Sequence, residues 1–180
     1  MNKFLTLALL LLTLACKSPD ARRPISVKSG SFIDASVERN KKLNAKEQAL
    51  IESFMNQKHE NEYIASESGF WYFYNTKVEI DSLQSPVFGD IVNYNYDVKT
   101  LNGQTIYSTE ELKTRTYAID KEELFTGLRE GLKLMKTGET VTFLFPSQKA
   151  YGYYGDENKI GTNTPIMCKV TLNSITKTTN

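Results

Sequence analysis

The chain has 180 residues, 24% of them charged, and a formal net charge of +1. That balance excludes nucleic acid as a partner on electrostatic grounds, because binding it calls for a concentrated basic face. A single His and the lack of a phosphate-binding loop exclude the usual metal and nucleotide chemistries, so no metal and no cofactor are expected.

The first residues resemble a bacterial lipoprotein signal. Lys3 supplies a positive start, and the apolar stretch from Phe4 to Leu14 is shorter than the roughly 20 residues a membrane-spanning helix needs. It ends in Leu14-Ala15-Cys16, a small residue immediately before a Cys. Residues 1–15 are then a cleaved signal peptide and Cys16 a lipidated N-terminus. The localisation expected is the cell envelope, lipid-anchored to a bacterial membrane and facing the periplasm. The alternative is an ordinary secretory signal with an incidental Cys. With Cys16 lipidated, Cys168 is the one remaining thiol and no intramolecular disulfide forms. Cys168 is expected to be a small buried apolar residue.

Residues 16–42 are polar, with Pro19, Pro24 and several Ser, and are expected to form a flexible tether. A structured N-terminal arm is the alternative. Residues 43–68 hold a helix opening at Asn44, with Glu47 as its capping-box partner. Leu50, Ile51, Phe54 and Met55 make one apolar stripe along it. That stripe favours packing on its own domain and a monomer, with a dimer through residues 44–58 as the alternative. His59-Glu60 lacks the second His of a zinc helix.

Residues 69–180 are expected to be one domain rich in strands. The aromatic run Phe70 to Tyr74 is a strand, and Val92, Tyr94, Tyr96 and Val98 alternate with polar residues along the next. Asn102-Gly103 predicts a type I′ hairpin turn. Ile106-Tyr107 and Thr116 to Ile119 supply shorter strand pieces. Leu124, Phe125, Leu128, Leu132 and Met135 lie at helical spacing, closed by Gly138. Val141, Phe143 and Phe145 alternate, as do Ile166, Cys168, Val170 and Leu172. Between these two strands lies a loop from Pro146 to Pro165, long enough to suggest a functional role. The fold class is α+β, one amphipathic helix covering one face of a sheet.

The ordered motifs of residues 69–176 resemble an FKBP-type peptidyl-prolyl isomerase. Gly89-Asp90, Tyr96 and Gly103 fit the family's Gly-Asp turn, pocket Tyr and hairpin Gly. Leu124-Phe125-x-Gly127-Leu128-x-Glu130-Gly131, followed by Met135-x-x-Gly138-Glu139, resembles its central helix. Phe145-Pro146 and Ala150-Tyr151-Gly152 resemble its loop signature, and Ile160-Gly161-Thr162-Asn163 sits where it carries Ile-Pro-Pro-Asn. The runs Leu124 to Lys136 and Phe143 to Gly155 are most similar to the gliding-motility-associated isomerase lipoproteins of Bacteroidota. The resemblance implies an FKBP-like antiparallel sheet wrapped around one short helix, with a short N-terminal helical extension. It also implies proline-containing polypeptide clients, and a role in assembling motility or secretion machinery.

It further implies a pocket of Tyr96, Ile106, Tyr107, Tyr117, Leu124, Phe125, Leu128, Tyr151, Ile160 and Cys168. Leu128 would be the floor under a proline ring, and Tyr96, Ile106, Ile160 and Cys168 walls. The Tyr151 hydroxyl and the Phe125 N–H, at a helix start, would donate to a ligand carbonyl. Such a site suits the reaction, because rotation about an X–Pro bond breaks amide resonance but no covalent bond. A dry aromatic pocket with fixed donors favours the twisted amide without a nucleophile or a metal. Several positions depart from the family. Leu128 replaces a frequent Trp, Ile106 and Cys168 replace Phe walls, Tyr107 replaces a pocket Asp, and Gly161-Thr162 replaces Pro-Pro. These changes point to a wider pocket with weaker macrolide binding. They also leave a second reading, a non-catalytic chaperone or assembly lipoprotein using a degenerate FKBP groove.

Overall fold

Alternating hydrophobicity organises most of the chain. The computed structural model describes residues 30–80 and 82–178. Its strands are β1 (Ile64–Ala65), β2 (Trp71–Thr76), β3 (Ile91–Tyr96), β4 (Val98–Thr100), β5 (Thr105–Tyr107), β6 (Arg115–Ala118), β7 (Thr140–Phe145) and β8 (Ile166–Thr176). The helices are α1 (Gly30–Gln57), α2 (Thr109–Leu112) and α3 (Thr126–Leu132), with a 3-10 turn at Ser147–Lys149. The strands join in one antiparallel sheet of order β1-β2-β7-β8-β3-β6, with β4 paired to both β5 and β8. This is the α+β, FKBP-like architecture the sequence predicts.

β8 is the centre of the sheet. It pairs with β7 from Thr140↔Thr171 to Phe145↔Ile166, and on its other edge with β3 and β4. Its Ile166, Cys168, Val170 and Leu172 are buried, as are Val92, Tyr94 and Tyr96 of β3. Helix α3 buries Gly127, Leu128, Gly131 and Leu132. A Cβ at Gly127 would lie 2.5 Å from the Phe145 ring, and one at Gly131 2.9 Å from the Phe143 ring. The two glycines thus bring the helix backbone into contact with the aromatic layer, closer than any side chain permits. Thr142 and Leu144, on the other face of β7, are buried too. On that side Phe54 of α1 reaches Tyr63, and Tyr63 reaches Phe73, through ring contacts of 6.5 and 5.2 Å.

Several local expectations change. Cys16 and the signal peptide lie outside the described residues. The tether expected through residue 42 is helical from Gly30, because no Pro lies between Pro24 and the end of the helix and Ala35, Glu38, Arg39, Lys41 and Lys42 favour helix. The chain divides into compact units at Val37 and Glu38. In the first, Phe32, Ile33 and Val37 are exposed. Asn44 therefore lies inside a helix and caps nothing, and Glu47 is buried with a different partner. Of the predicted apolar stripe, Ile51 is buried and Leu50 exposed. The helix ends at Gln57, and β1 occupies part of the span assigned to it.

The β4–β5 turn is not type I′. Gly103 takes φ 84°, but Asn102 is not among the left-handed residues, and Gly103 N–H closes on Thr100 O at 2.9 Å. A single left-handed Gly is the signature of a turn ending in a bulge. Helix α3 is shorter than its periodicity suggests. Leu124 precedes it, Phe125 is its N-cap, and Met135 follows in a tight turn that bonds its N–H to Leu132 O. Buried carboxylates fix two of the motif turns. Asp90 accepts from Val87 N–H and the Lys177 ammonium, and Glu139 accepts from Val78 N–H and Lys136 N–H.

Candidate active site

The predicted pocket residues come from six places in the chain and all belong to, or pack against, one hydrophobic core. Tyr96, Tyr117, Leu128, Ile160 and Cys168 belong to a single buried cluster. Ile106, Tyr107, Leu124, Phe125 and Tyr151 are half-buried and pack against it. β3 buries Tyr96, the neighbouring strand β8 buries Cys168, and α3 buries Leu128 in the same core cluster. The 3-10 turn at Ser147–Lys149 delivers Tyr151 beside Phe125, with ring centroids 5.1 Å apart and tilted by 41°. Phe125 in turn meets Phe145 edge-on at 5.5 Å.

The residues at the base of the site are buried and uncharged. Burial pushes the Tyr151 hydroxyl far above its ordinary pKa, and nearby Tyr96, Cys168, Asp156 and Tyr107 add to the effect. Burial likewise raises Tyr96, with Cys168 as the next cause. Burial pushes the Cys168 thiol well up as well. All three are neutral at physiological pH, so Tyr151 is a hydrogen-bond donor and not a base. Among the described residues no group accepts from the Tyr151 hydroxyl or from the Phe125 N–H. Tyr117 is different. Its hydroxyl accepts from Asp120 N–H at 3.2 Å, which holds the left-handed Asp120 turn.

A concavity of about 610 Å³ is lined by Glu122, Glu123, Leu124, Phe125, Arg129 and Tyr151; of the predicted pocket residues it holds Leu124, Phe125 and Tyr151. A larger one, of about 720 Å³, lies between the end of α1 and the β4–β5 turn, and its wall includes Phe54, Asn102, Pro165 and Met167. It contains none of the predicted pocket residues. The smaller concavity is the one whose wall holds the two residues with unengaged donors, Phe125 and Tyr151.

The loop clamp is what sequence reasoning missed. The Tyr107 hydroxyl donates to Asp156 Oδ2 and accepts from Asn158 Nδ2 at 3.0 Å. Asp156 Oδ1 accepts from Asn158 N–H at 3.0 Å and Ile160 N–H at 2.7 Å. Lys159 lies 4.6 Å above the Tyr107 ring and 2.5 Å from Glu111. Burial alone would raise the Asp156 carboxyl, but the Tyr107 hydroxyl and the two N–H donors outweigh it and hold it below the usual range. Tyr107 therefore fastens the long loop to β5, at a position where the family carries a carboxylate. The Asp-x-Asn spacing at 156–158 was a visible turn signal; its partner across the pocket was not. Gly155 permits the arrangement, with φ 70° and a Cβ position 2.1 Å from Ile160 O.

Comparison with known proteins agrees with this geometry. The family described as FKBP-type peptidyl-prolyl cis-trans isomerase matches residues 83–173. The chain is 32% identical over 94 residues to the peptidyl-prolyl cis-trans isomerase Mip of Coxiella burnetii, covering 52% of this chain and 40% of that one. It is 29% identical over 89 residues to a probable FKBP-type peptidyl-prolyl cis-trans isomerase, FkpA, of Neisseria meningitidis, covering 49% and 32%. The match thus spans well under half the length of either relative. Among solved structures, a peptidyl-prolyl cis-trans isomerase from Pseudomonas syringae superposes with a TM-score of 0.60 at 19% identity, over 76% of this chain and 96% of that one. FkpA from Escherichia coli superposes with a TM-score of 0.56 at 22% identity, over 98% and 83%. These two establish the fold, and the sequence match over half the chain establishes descent: the protein belongs to the FKBP-type peptidyl-prolyl cis-trans isomerase family.

Proposed function

We propose that the chain is a peptidyl-prolyl cis-trans isomerase acting on X–Pro bonds of exported envelope proteins. The observation that carries it is the pair of unengaged donors, Tyr151 hydroxyl and Phe125 N–H, on two residues whose rings lie 5.1 Å apart and pack against the buried core cluster. The uncatalysed barrier is about 18–20 kcal/mol, and each tenfold of acceleration takes about 1.4 kcal/mol of differential stabilisation. Desolvation of the prolyl amide lowers the advantage of the planar, polar form. Tyr151 and Phe125 then hold the carbonyl while the bond turns, and Tyr96, Ile106, Ile160 and Cys168 enclose the ring. Exchange NMR on a short X–Pro peptide tests this reading, and exchange no faster with the protein than without it would sink it.

The narrower reading is a lipoprotein anchored through Cys16 in the bacterial envelope, facing the periplasm and helping to assemble gliding-motility or secretion machinery. The lipoprotein-like ending at Cys16 and the similarity of Leu124 to Lys136 and Phe143 to Gly155 support it. No described helix is long and apolar enough to cross a membrane. Palmitate labelling that fails, or that persists in Cys16→Ala, would exclude the anchor. Loss of surface motility on deletion, restored by wild type and not by Tyr151→Phe, is the outcome expected of an assembly isomerase. The second reading, client binding without turnover, draws on Tyr107: its hydroxyl is committed to Asp156, so no free carboxylate faces the pocket from β5.

A further inference from the structure

We infer that Glu47, on the N-terminal helix α1, is a positioning residue for Tyr151. The inference rests on the reading of Tyr151 as the substrate donor. Glu47 is buried, and both its carboxylate oxygens are spent on one residue 100 positions away. Oε2 accepts from Ser147 N–H at 2.7 Å and Oε1 accepts from Ser147 Oγ at 2.7 Å. Ser147 is itself buried and opens the 3-10 turn that leads to Tyr151.

Ser147 is the hub of that turn. Its carbonyl accepts from Ala150 N–H at 2.9 Å and from Gly152 N–H at 2.8 Å, the residues on either side of Tyr151. Gly152 O is held in turn by Asn163 N–H at 2.9 Å. A carboxylate bound at two points on one serine fixes that residue's rotation as well as its place, and so fixes where its carbonyl aims. The path Glu47, Ser147, then the amides flanking Tyr151 is continuous and is made entirely of short hydrogen bonds. Pro146 carries no N–H and Phe145 is locked in β7, so the first free amide of the turn falls on Ser147 and needs an acceptor. Glu47 meets that need from an element outside the sheet. Helix α1 thus becomes part of the frame that aims the donor, and a change in how α1 is seated would be felt at Tyr151.

The test uses the full chain with Glu47→Ala, Glu47→Gln, Ser147→Ala and Tyr151→Phe, at a temperature where circular dichroism shows each variant folded. Amide exchange at Ala150 and Gly152 reads the loop directly, and kcat and KM for an X–Pro peptide read its use. Glu47→Ala should speed exchange at those two amides about tenfold or more while the β7–β8 ladder stays protected. It should lower kcat by about tenfold with KM nearly unchanged. Glu47→Gln should restore both, since its Oε1 still accepts from Ser147 N–H and its Nε2 donates to Ser147 Oγ. Glu47→Ala added to Tyr151→Phe should lower kcat no further. Wild-type exchange at Ala150 and Gly152 in Glu47→Ala would overturn the inference. So would a normal kcat in Glu47→Ala alongside a lowered one in Tyr151→Phe. If Tyr151→Phe keeps wild-type kcat, the donor reading fails and the catalytic role of Glu47 with it, while amide exchange still decides whether Glu47 fixes the loop. Should Glu47→Ala not fold, Ser147→Ala removes one of the two bonds and carries the same readouts.

Discussion

Gly127→Ala tests how closely α3 is seated on the aromatic layer. In an ordinary helix interior the change favours folding by roughly 1 kcal/mol, because Ala has the higher helix propensity. Here the new methyl would lie 2.5 and 2.7 Å from two atoms of the Phe145 ring and 2.7 Å from Lys149 O. Normal carbon contacts are about 3.5–4.0 Å. The ring has nowhere to go, since Phe145 is fully buried, stacks on Phe143 at 5.4 Å and meets Phe70 and Phe125 edge-on. The other obstacle is backbone. Overpacking a rigid site costs about 1–3 kcal/mol, and two unyielding obstacles put this one at the upper end. After the propensity gain, the net loss is roughly 2 kcal/mol, a fall in melting temperature of about 4–8 °C. Lys149 belongs to the turn before Tyr151, so turnover should fall more than stability alone explains. Gly103→Ala is the control: it has open space around it and φ 84°, so it loses only about 1 kcal/mol to backbone strain. Thermal melts and peptide turnover of both variants settle the matter, and a Gly127→Ala protein that melts at or above the wild-type temperature would refute the close-packing argument.

Tyr107→Phe removes the loop clamp's central hydroxyl and leaves its ring under Lys159. It should destabilise by about 1–2 kcal/mol and speed amide exchange at Asn158 and Ile160, read by calorimetry and NMR. Leu128→Ala should cost about 2–5 kcal/mol, because Leu128 is fully buried in the core cluster; urea melts give the value. Acid should loosen the same clamp. Asp156 and Asp90 both have carboxyls held below the ordinary value of 3.8. For Asp90, burial acts against the shift and the Lys177 hydrogen bond leads the groups that reverse it. A depressed carboxyl contributes stability that is fully present above its unfolded pKa and is lost as pH falls through the folded one. The melting temperature should therefore be flat from neutrality to about pH 5 and drop below about pH 4, less steeply in Asp90→Asn.

The strands and the fold were legible because both depend on local alternation and ordered motifs. Tyr96, Cys168 and Leu128 each sit on a buried face that their own element's periodicity marks. The failures share a cause: a polar group whose partner is far away in sequence. Glu47 looked like a capping residue at Asn44, yet its carboxylate serves Ser147. Tyr107 looked like a lost carboxylate, yet its hydroxyl recruits one from the loop. The start of α1 was missed for another reason. Its first turns carry Phe32, Ile33 and Val37 but bury none of them, and the Pro and Ser residues just upstream read as tether, so helix-favouring residues were the main signal.

The proposed isomerisation depends on the unengaged donors of Tyr151 and Phe125. The most direct measurement is the exchange-NMR isomerisation rate of one X–Pro peptide with wild type and with Tyr151→Phe, which keeps the ring and removes only the hydroxyl. The account predicts acceleration by wild type and a rate about 10–100-fold lower for the variant, the worth of one hydrogen bond made in a dry site. Equal acceleration by the two proteins would contradict it.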